Sequence, residues 1–105
     1  MSYFAVILEA GPGWTDGTGA FDQPDVDDHA VFMSALADEG IVLFAGPLAG
    51  SERSRIRVLL IVDAEDEAIF RERVAADPWA QARRLVISSI EPWNVVVGAD
   101  RIAAA

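Results

Sequence analysis

The sequence predicts a ferredoxin-like α+β fold, in which a four-stranded antiparallel sheet and two helices follow the order β-α-β-β-α-β. Two observations predict it. Four short apolar runs are rich in β-branched and aromatic residues, which is typical of strands. Two longer stretches carry apolar residues at helical spacing and separate the strands in that order. A length of 105 residues fits one domain, which we place at residues 1–97, with a short tail at 98–105.

The first half of the chain is expected to hold a strand at 3–8, a glycine-rich loop at 11–23 and a helix over 24–39. A proline fits the first position of that helix, with Asp22 or Gln23 as its cap. The helix ends before a glycine, which is a natural stop. Its apolar stripe is expected to comprise Val26, Ala30, Met33 and Ala37, widened by Phe32 and Leu36.

The second half is expected to hold three strands and a second helix. The strands are placed at 41–45, 56–62 and 85–97, the helix starts within 63–66 and continues to 76, and a short helical piece follows at 79–83. Pro78 ends the second helix at or before Asp77, because proline disfavours the α conformation in the residue before it. Pro92 either interrupts the pairing of the last strand or lies on an edge.

The strands are apolar on both faces, although two helices cover only one face of such a sheet. This pattern is clearest at 4–8, 41–44 and 58–62, where polar residues do not alternate with apolar ones. The uncovered face would form a larger apolar patch than a soluble monomer usually exposes. We therefore predict a homodimer in which the two copies pack sheet against sheet.

Composition excludes several classes of function. The chain has 17 acidic residues against eight arginines and no lysine, so nucleic acid and anionic membranes are poor partners. Without lysine or cysteine there is no Schiff base, disulfide, thiolate zinc site or cysteine nucleophile. One histidine and carboxylates without recognisable spacing predict no metal site, and no cofactor is expected. No apolar run reaches the length of a membrane helix, and no basic segment precedes the first apolar run, so we expect a cytoplasmic protein.

His29 is the one histidine and the natural candidate for acid–base chemistry at neutral pH. It lies on the flank of the apolar stripe, which fits either a core histidine held by one hydrogen bond or a general acid or base at a pocket edge. Asp77 falls on the apolar side of the second helix, at its C-terminal end, where the helix dipole disfavours a carboxylate. His29 is the candidate cation to compensate it; a plain helix-ending aspartate is the alternative.

The glycine-rich loop does not have the spacing of a phosphate-binding loop. It is either a flexible surface loop or a lid, in which Trp14 and Phe21 close on a ligand. Gly46 and Pro47 mark a strand end or a tight backbone against a ligand. Two further aromatic residues, Trp79 and Trp93, line a pocket for a flat ligand or pack in the core or the dimer interface.

Four short motifs occur in an order that resembles the YCII-related (YciI-like) family over roughly residues 3–97. They are His29-x-x-Phe32-x-x-x-Leu36-x-x-x-Gly40, then Gly46-Pro47, Asp77-Pro78-Trp79 and Glu91-Pro92-Trp93. The resemblance implies the dimeric α/β-barrel form of the ferredoxin-like fold and a catalytic pair formed by His29 and Asp77 in a pocket. Relatives include a lyase-type dehydrochlorinase acting on a chlorinated hydroquinone, and the wider fold holds cofactor-free isomerases and monooxygenases.

The chain departs from the family pattern around the expected pocket. The loop at 11–23 is longer than in compact members, and residues 50–53 replace the usual Asp-Gly turn. Arg83 and Arg84 stand where small members often have a glycine after the Asp-Pro motif. These changes alter the rim of the pocket and its charge.

Together these features lead to one functional hypothesis and two alternatives. In the hypothesis, a cofactor-free lyase or isomerase uses His29 as general base or acid on a small organic substrate, and Asp77 orients the imidazole. The substrate-binding residues are expected to be Phe32, Gly46, Pro47, Trp79 and Trp93. The alternatives are a non-catalytic small-molecule binding module and a cofactor-free monooxygenase of the same barrel type.

Overall fold

Four strands and four helices follow one another in the computed structural model, which describes residues 2–103. They are β1 (Ser2–Ala10), α1 (Val26–Asp38), β2 (Val42–Pro47), β3 (Arg57–Ala64), α2 (Glu67–Val74), α3 (Pro78–Gln81), β4 (Leu85–Pro92) and α4 (Ala99–Ala103). Single 3-10 turns at Ala20–Asp22 and Ser51–Arg53 lie in the connecting loops. The predicted order of strands and main helices is confirmed.

The strands form one sheet in the order β2-β3-β1-β4, and every neighbouring pair is antiparallel. Each long crossover, through α1 or through α2 and α3, therefore joins two strands that are separated by one other strand. This is the ferredoxin-like arrangement that the sequence predicts.

The core lies on one face of the sheet, where alternate residues of the two central strands are buried. Val6 pairs with Leu60, and both side chains have no exposed surface. From the helices, Leu36 and Phe70 are buried to 1% and 0% exposure against that face. Complete burial of each such side chain contributes about 1.5–3 kcal/mol to folding. The core therefore holds α1 and α2 over this face.

The other face of the sheet, which we call the open sheet face, is apolar at its centre. Five apolar residues lie on it: Ala5, Ile7, Phe44, Leu59 and Ile61. Ile7 pairs with Leu59 on the neighbouring strand, and Ile61 pairs with Ala5 on one side and with Phe44 on the other. Phe44 is 60% exposed and Leu59 is 38% exposed. The expectation of strands that are apolar on both faces is confirmed, and the homodimer built on it stays a prediction.

α1 begins two residues later than predicted, at Val26. Its cap residue, Asp25, has φ 62° and makes no side-chain capping hydrogen bond. This left-handed conformation, which aspartate tolerates better than most residues, separates Pro24 from the helix. The prediction that Asp22 or Gln23 caps the helix is wrong. Gln23 is instead buried inside the preceding loop.

The buried side of α1 differs from the predicted stripe. Leu36 is its one fully buried residue, and Val26, Phe32 and Met33 are packed partly against the core. Ala30 and Ala37 are exposed, so the predicted stripe is wrong at these positions. Methyl groups anchor a helix weakly, and the larger side chains determine which side faces the sheet. The helix consequently turns His29 toward the core, where its side chain is 17% exposed.

The end of the chain is also different from expectation. β4 stops at Pro92 rather than at 97, because a proline has no N–H to continue the strand pairing. The predicted tail at 98–105 contains the short helix α4, while its last two residues lie outside the described part. The division of the chain at 97 stays a prediction. No helix in the described residues 2–103 has the length and apolar character needed to cross a membrane.

Candidate functional site

The candidate site is centred on a contact between a histidine and a buried carboxylate. His29 Nδ1 lies 2.9 Å from both Oδ1 and Oδ2 of Asp77. Asp77 is 1% exposed. An ionised carboxylate only accepts hydrogen bonds, so Nδ1 of His29 carries the proton and donates it. Within residues 2–103, Nε2 has no hydrogen-bond partner and is not buried, which leaves its lone pair accessible.

Asp77 reaches this position as the cap of a second, short helix. α2 ends at Val74, and α3 begins at Pro78, a residue that favours the first helical position. Oδ1 of Asp77 accepts a hydrogen bond from the backbone N–H of Trp79 at 3.2 Å. The interpretation of Asp77 as the C-terminal residue of the second helix is therefore wrong. The positive end of the α3 dipole favours this carboxylate, and an aspartate before a proline is the sequence signal that could have shown it.

The ring of Trp79 supports the imidazole from one side. The two rings are stacked, with centroids 4.0 Å apart and an interplanar angle of 7°. Nε1 of Trp79 donates to the backbone carbonyl of Pro24 at 2.7 Å, and the side chain is 2% exposed. These contacts fix the orientation of His29 between Asp77 and a flat aromatic surface. A direct contact of Trp79 with a substrate stays a prediction.

The loop at 11–23 is a packed part of this region. Trp14 is 4% exposed, meets Trp79 edge-on at a centroid distance of 5.6 Å and donates from Nε1 to the Ser54 carbonyl. A side chain at Gly13 would clash with the carbonyl of Ala82. The expectation of a lid closed by Trp14 is wrong, because the indole is already buried. The expectation of a flexible loop stays a prediction. Phe21, the other predicted lid residue, is 82% exposed.

The amide of Gln23 holds the same loop together. Its Nε2 donates to the carbonyls of Thr15 and Thr18, and its Oε1 accepts from the Thr15 N–H. Gln23 is 3% exposed, so these bonds satisfy polar groups that burial would otherwise leave unpaired. The loop therefore braces the Trp14–Trp79 contact behind the imidazole.

A cavity of about 370 Å³ adjoins Asp77 on the helix-covered side of β4. Its apolar lining includes Leu8, Val74, Leu85 and Ile87. Two arginines, Arg71 and Arg83, also line it. His29 contacts the Asp77 carboxylate and does not itself line the cavity, so the cavity and the imidazole share one residue. The sequence did not predict this cavity; it indicated Arg83 as a change at the pocket rim, but it did not indicate Arg71.

The other predicted substrate-binding residues lie at different places. Phe32 is one turn from His29 on α1 and packs partly against the core. Gly46 and Pro47 are at the end of β2, on the edge opposite β4 and about 14 Å away across three strand spacings. Neither Gly46 nor Pro47 lines the cavity beside Asp77.

Trp93 follows the far end of β4. Its backbone N–H bonds to the Tyr3 carbonyl, and it lines a separate cavity of about 340 Å³. The length of β4 separates Trp93 from Leu85 by about 25 Å. Within one chain, the structure therefore brings Trp79 to the His29–Asp77 pair and places Phe32 one turn along α1 from His29, but it does not bring Trp93 there.

Within residues 2–103, no three histidine, aspartate or glutamate side chains lie close enough together to hold a metal ion. His29 has the carboxylate of Asp77 as its one ionic partner there. The arrangement supplies one imidazole whose Nδ1 is occupied and whose Nε2 can exchange a proton. Its chemical capacity is therefore general acid–base chemistry.

The strand order and crossovers define the class of protein, a small ferredoxin-like α+β protein. Among solved structures it is similar to the 5-chloro-2-hydroxyhydroquinone dehydrochlorinase from Burkholderia phenoliruptrix AC1100, solved in complex with 2,5-dihydroxybenzoquinone. The identity is 17% over 88% of this chain and 93% of that chain, with a TM-score of 0.50. At this identity the likeness shows a shared ferredoxin-like fold. No protein-family model and no curated protein matches the chain.

Proposed function

We propose that this protein is a cofactor-free enzyme of lyase or isomerase type, in which His29 moves a proton on a small organic substrate. The observation that carries the proposal is the contact of Nδ1 with both oxygens of the buried Asp77 carboxylate, at 2.9 Å. This contact selects the imidazole form with a free lone pair at Nε2, which is the form that can act as a base.

The reaction would begin when Nε2 of His29 takes a proton from a carbon or hydroxyl group of the substrate. The electron pair left on the substrate then expels a leaving group in a lyase, or moves to a neighbouring carbon in an isomerase. Asp77 stabilises the imidazolium through the Nδ1–H bond, and the stacked face of Trp79 adds a favourable cation–π contact. In an isomerase, Nε2 returns the proton to the substrate at its new position; in a lyase, Nε2 passes the proton to water after the leaving group has departed. Acid–base help of this kind accelerates a reaction by about 10²–10⁴-fold.

The shared fold supports this reaction class. The name of the structural neighbour describes removal of hydrogen chloride from a chlorinated hydroxyhydroquinone, which is an elimination. Elimination requires a base placed beside an organic molecule, and the His29–Asp77 pair supplies one. On the same grounds we propose membership of the YCII-related (YciI-like) family, with His29 and Asp77 as its catalytic pair.

The open sheet face supports the homodimer as the working form. Phe44 and Leu59 expose 60% and 38% of their surface at the centre of this face. A second copy packed sheet against sheet would remove both side chains from water. The absence of cysteine from the sequence supports a cytoplasmic location.

One observation favours a non-catalytic binding module as the second candidate. Asp77 lines the cavity beside it, whereas His29 lies outside the lining. A ligand held in this cavity need not touch Nε2. Such a module predicts that ligands raise the thermal stability of the protein and that no product forms.

The proposal is tested by turnover of elimination and isomerisation substrates, starting with 5-chloro-2-hydroxyhydroquinone and release of chloride. We expect His29→Gln to lower the turnover of any accepted substrate by about 10²–10⁴-fold. Arg53→Gln, a change on an exposed residue outside the cavity, is the matched control and should keep full turnover. Full turnover by His29→Gln would overturn the proposal. Ligand-induced stabilisation without product would favour the binding module.

A further inference from the structure

The cavity beside Asp77 has an apolar body and a cationic rim. Arg71 and Arg83 line it, and both side chains are exposed. Arg71 uses its Nε–H to bond Glu67 at 2.8 Å, which leaves its terminal N–H groups available. Within residues 2–103, the Arg83 side chain makes no ion pair and no hydrogen bond. Arg83 is therefore the cation of the rim that has no protein partner in the described chain.

Arg83 occupies a backbone position that favours glycine. Its φ is 58°, in the left-handed region. Its N–H bonds the Ala80 carbonyl, and the Arg84 N–H bonds the Trp79 carbonyl, which together form a Schellman ending of α3. Glycine is the usual residue here because a side chain is unfavourable in this conformation. An arginine at such a position indicates that its side chain has a use.

The charge around the cavity is opposite to that of the whole chain. The net charge is −9, yet the residues that line the cavity include two arginines, Arg71 and Arg83, against one acidic residue, Asp77. The overall charge repels anions, so a local cationic rim is needed for an anionic ligand to bind. Because arginine presents its N–H groups in a planar fork, it matches a carboxylate with two parallel hydrogen bonds.

We propose that this cavity binds a small organic acid, with the carboxylate of the ligand on the Arg83 guanidinium and its apolar body against Leu8, Val74, Leu85 and Ile87. Arg71 adds positive charge to the same rim. A volume of about 370 Å³ fits a compact, ring-sized ligand. The inference rests on the proposed function, since it identifies this cavity as the place where the enzyme holds its substrate.

Asp77 determines which way the ligand points. Asp77 is one of the lining residues, and its negative charge repels a carboxylate placed at that end of the cavity. The acid group of the ligand therefore lies at the arginines, and the uncharged end lies toward Asp77. His29 contacts the Asp77 carboxylate but does not line the cavity, so the uncharged end of the ligand points toward the residue that holds the imidazole. Arg83 is thus a specificity-determining residue for organic acids.

The test compares benzoate with benzamide, its neutral analogue of the same shape, by NMR titration. Bound benzoate is expected to shift the methyl signals of Val74, Leu85 and Ile87 and the imidazole signals of His29. Benzamide should bind at least about tenfold more weakly, because it lacks the charge that strengthens hydrogen bonds to arginine. Equal affinity for the two probes, or no benzoate binding to the cavity, would overturn the inference.

Variants assign the effect to one side chain. Arg83→Gln is expected to weaken benzoate binding by about tenfold or more. Arg83→Gly should weaken benzoate binding equally. This variant should unfold at the same or a higher temperature than the wild type, because glycine favours the left-handed backbone conformation there. Its loss of binding would therefore not reflect a loss of folding. Arg53→Gln, which removes an exposed arginine outside the cavity, should bind as the wild type does. Unchanged affinity in both Arg83 variants would contradict the assignment.

His29→Gln separates this inference from the proposed function. It should bind benzoate like the wild type, because the imidazole lies outside the cavity lining. If turnover depends on His29 while the affinity for benzoate is unchanged in the Arg83 variants, the inference about the substrate class fails and the proposed catalysis is retained. If benzoate requires Arg83 while no reaction requires His29, the cavity binds organic acids and the proposed catalysis fails.

Discussion

At the scale of single residues, Asp77 has two structural tasks. It caps α3 by accepting the Trp79 N–H, and it holds His29 through both carboxylate oxygens. A carboxylate that serves only as a cap is replaceable by asparagine or serine at little expense. The second task requires that both terminal atoms of the side chain accept hydrogen bonds. Asparagine does not meet this requirement, because one of its terminal atoms is an NH₂ donor. Position 77 therefore needs an aspartate because of the contact with the His29 imidazole, and not because of the helix cap.

Removing the Asp77 carboxylate altogether should destabilise the protein. Asp77→Ala loses the cap of α3, worth about 1 kcal/mol, and leaves the Nδ1–H of a mostly buried imidazole without its partner, at about 1–3 kcal/mol. We expect the free energy of unfolding, measured by urea denaturation, to fall by about 2–4 kcal/mol. Asp66→Ala, which removes only the cap of α2, is the control and should lose about 1 kcal/mol. Equal losses in the two variants would show that the His29 contact adds no stability.

At the scale of elements, an ion pair joins the two long helices. Arg73, in the last turn of α2, donates from Nη2 to Oε2 of Glu39 at 2.7 Å, at the end of α1. This hydrogen bond is the main cause that holds the pKa of Glu39 below its ordinary value of 4.5; desolvation opposes it and the charge of Arg73 adds to it. The same hydrogen bond and charge raise the pKa of Arg73.

The lowered pKa of Glu39 gives the pair a pH dependence of known sign. A carboxyl group whose pKa falls on folding adds stability above its unfolded pKa, and that stability is lost as the pH falls through the folded pKa. Arg73→Gln should therefore reduce stability at neutral pH, and the difference from wild type should shrink below pH 4.5 and in high salt. Urea denaturation at neutral and acidic pH measures it. A difference that grew on acidification would contradict this account.

The elements also show how far the sequence determines the fold. Apolar runs and helical spacing are local signals, and they place all four strands and both main helices to within a few residues. The start of α1 differs from the prediction because Asp25 adopts a left-handed conformation, with φ 62°, that no local pattern reveals. The cap at Asp77 was missed because the helical pattern was extended past the real end of α2 at Val74.

The candidate site was predictable only in part. His29 could be singled out because it is the one histidine and lies on the flank of the apolar stripe, whereas Asp77 was singled out from a helix position that the structure corrects. The cavity beside them could not, because its lining comes from β1, α2, α3 and β4, which only the folded chain brings together. The packing of Trp14 on Trp79 has the same origin, since 65 residues of chain separate them while the fold brings their centroids to 5.6 Å.

At the scale of the whole molecule, the open sheet face is the apolar surface that a single chain leaves exposed to water. Its centre is apolar, and Phe44 is the most exposed large side chain on it. The helix-covered face, by contrast, has buried partners along both central strands. A second copy on the open sheet face would give the sheet two covered faces.

A charge placed on the open sheet face should separate the proposed dimer. Phe44→Arg is expected to shift sedimentation equilibrium from dimer to monomer, because burial of an unpaired guanidinium is unfavourable. Val31→Arg is the matched control: Val31 is 70% exposed on α1, away from the sheet face, and the variant should remain dimeric. A wild-type protein that sediments as a monomer, or a Phe44→Arg variant that stays dimeric, would refute this interface.

The central claim is that Asp77 holds His29 with its proton on Nδ1 and leaves Nε2 free, and imidazole ¹⁵N NMR tests it most directly. The sequence has one histidine, so one set of signals reports the tautomer of the neutral ring. We predict the Nδ1–H tautomer in the wild type. In Asp77→Asn, the amide oxygen keeps the bond from the Trp79 N–H and the amide nitrogen faces Nδ1, so the ring should change to the Nε2–H tautomer. An Nε2–H tautomer in the wild type, or no change in Asp77→Asn, would contradict the account.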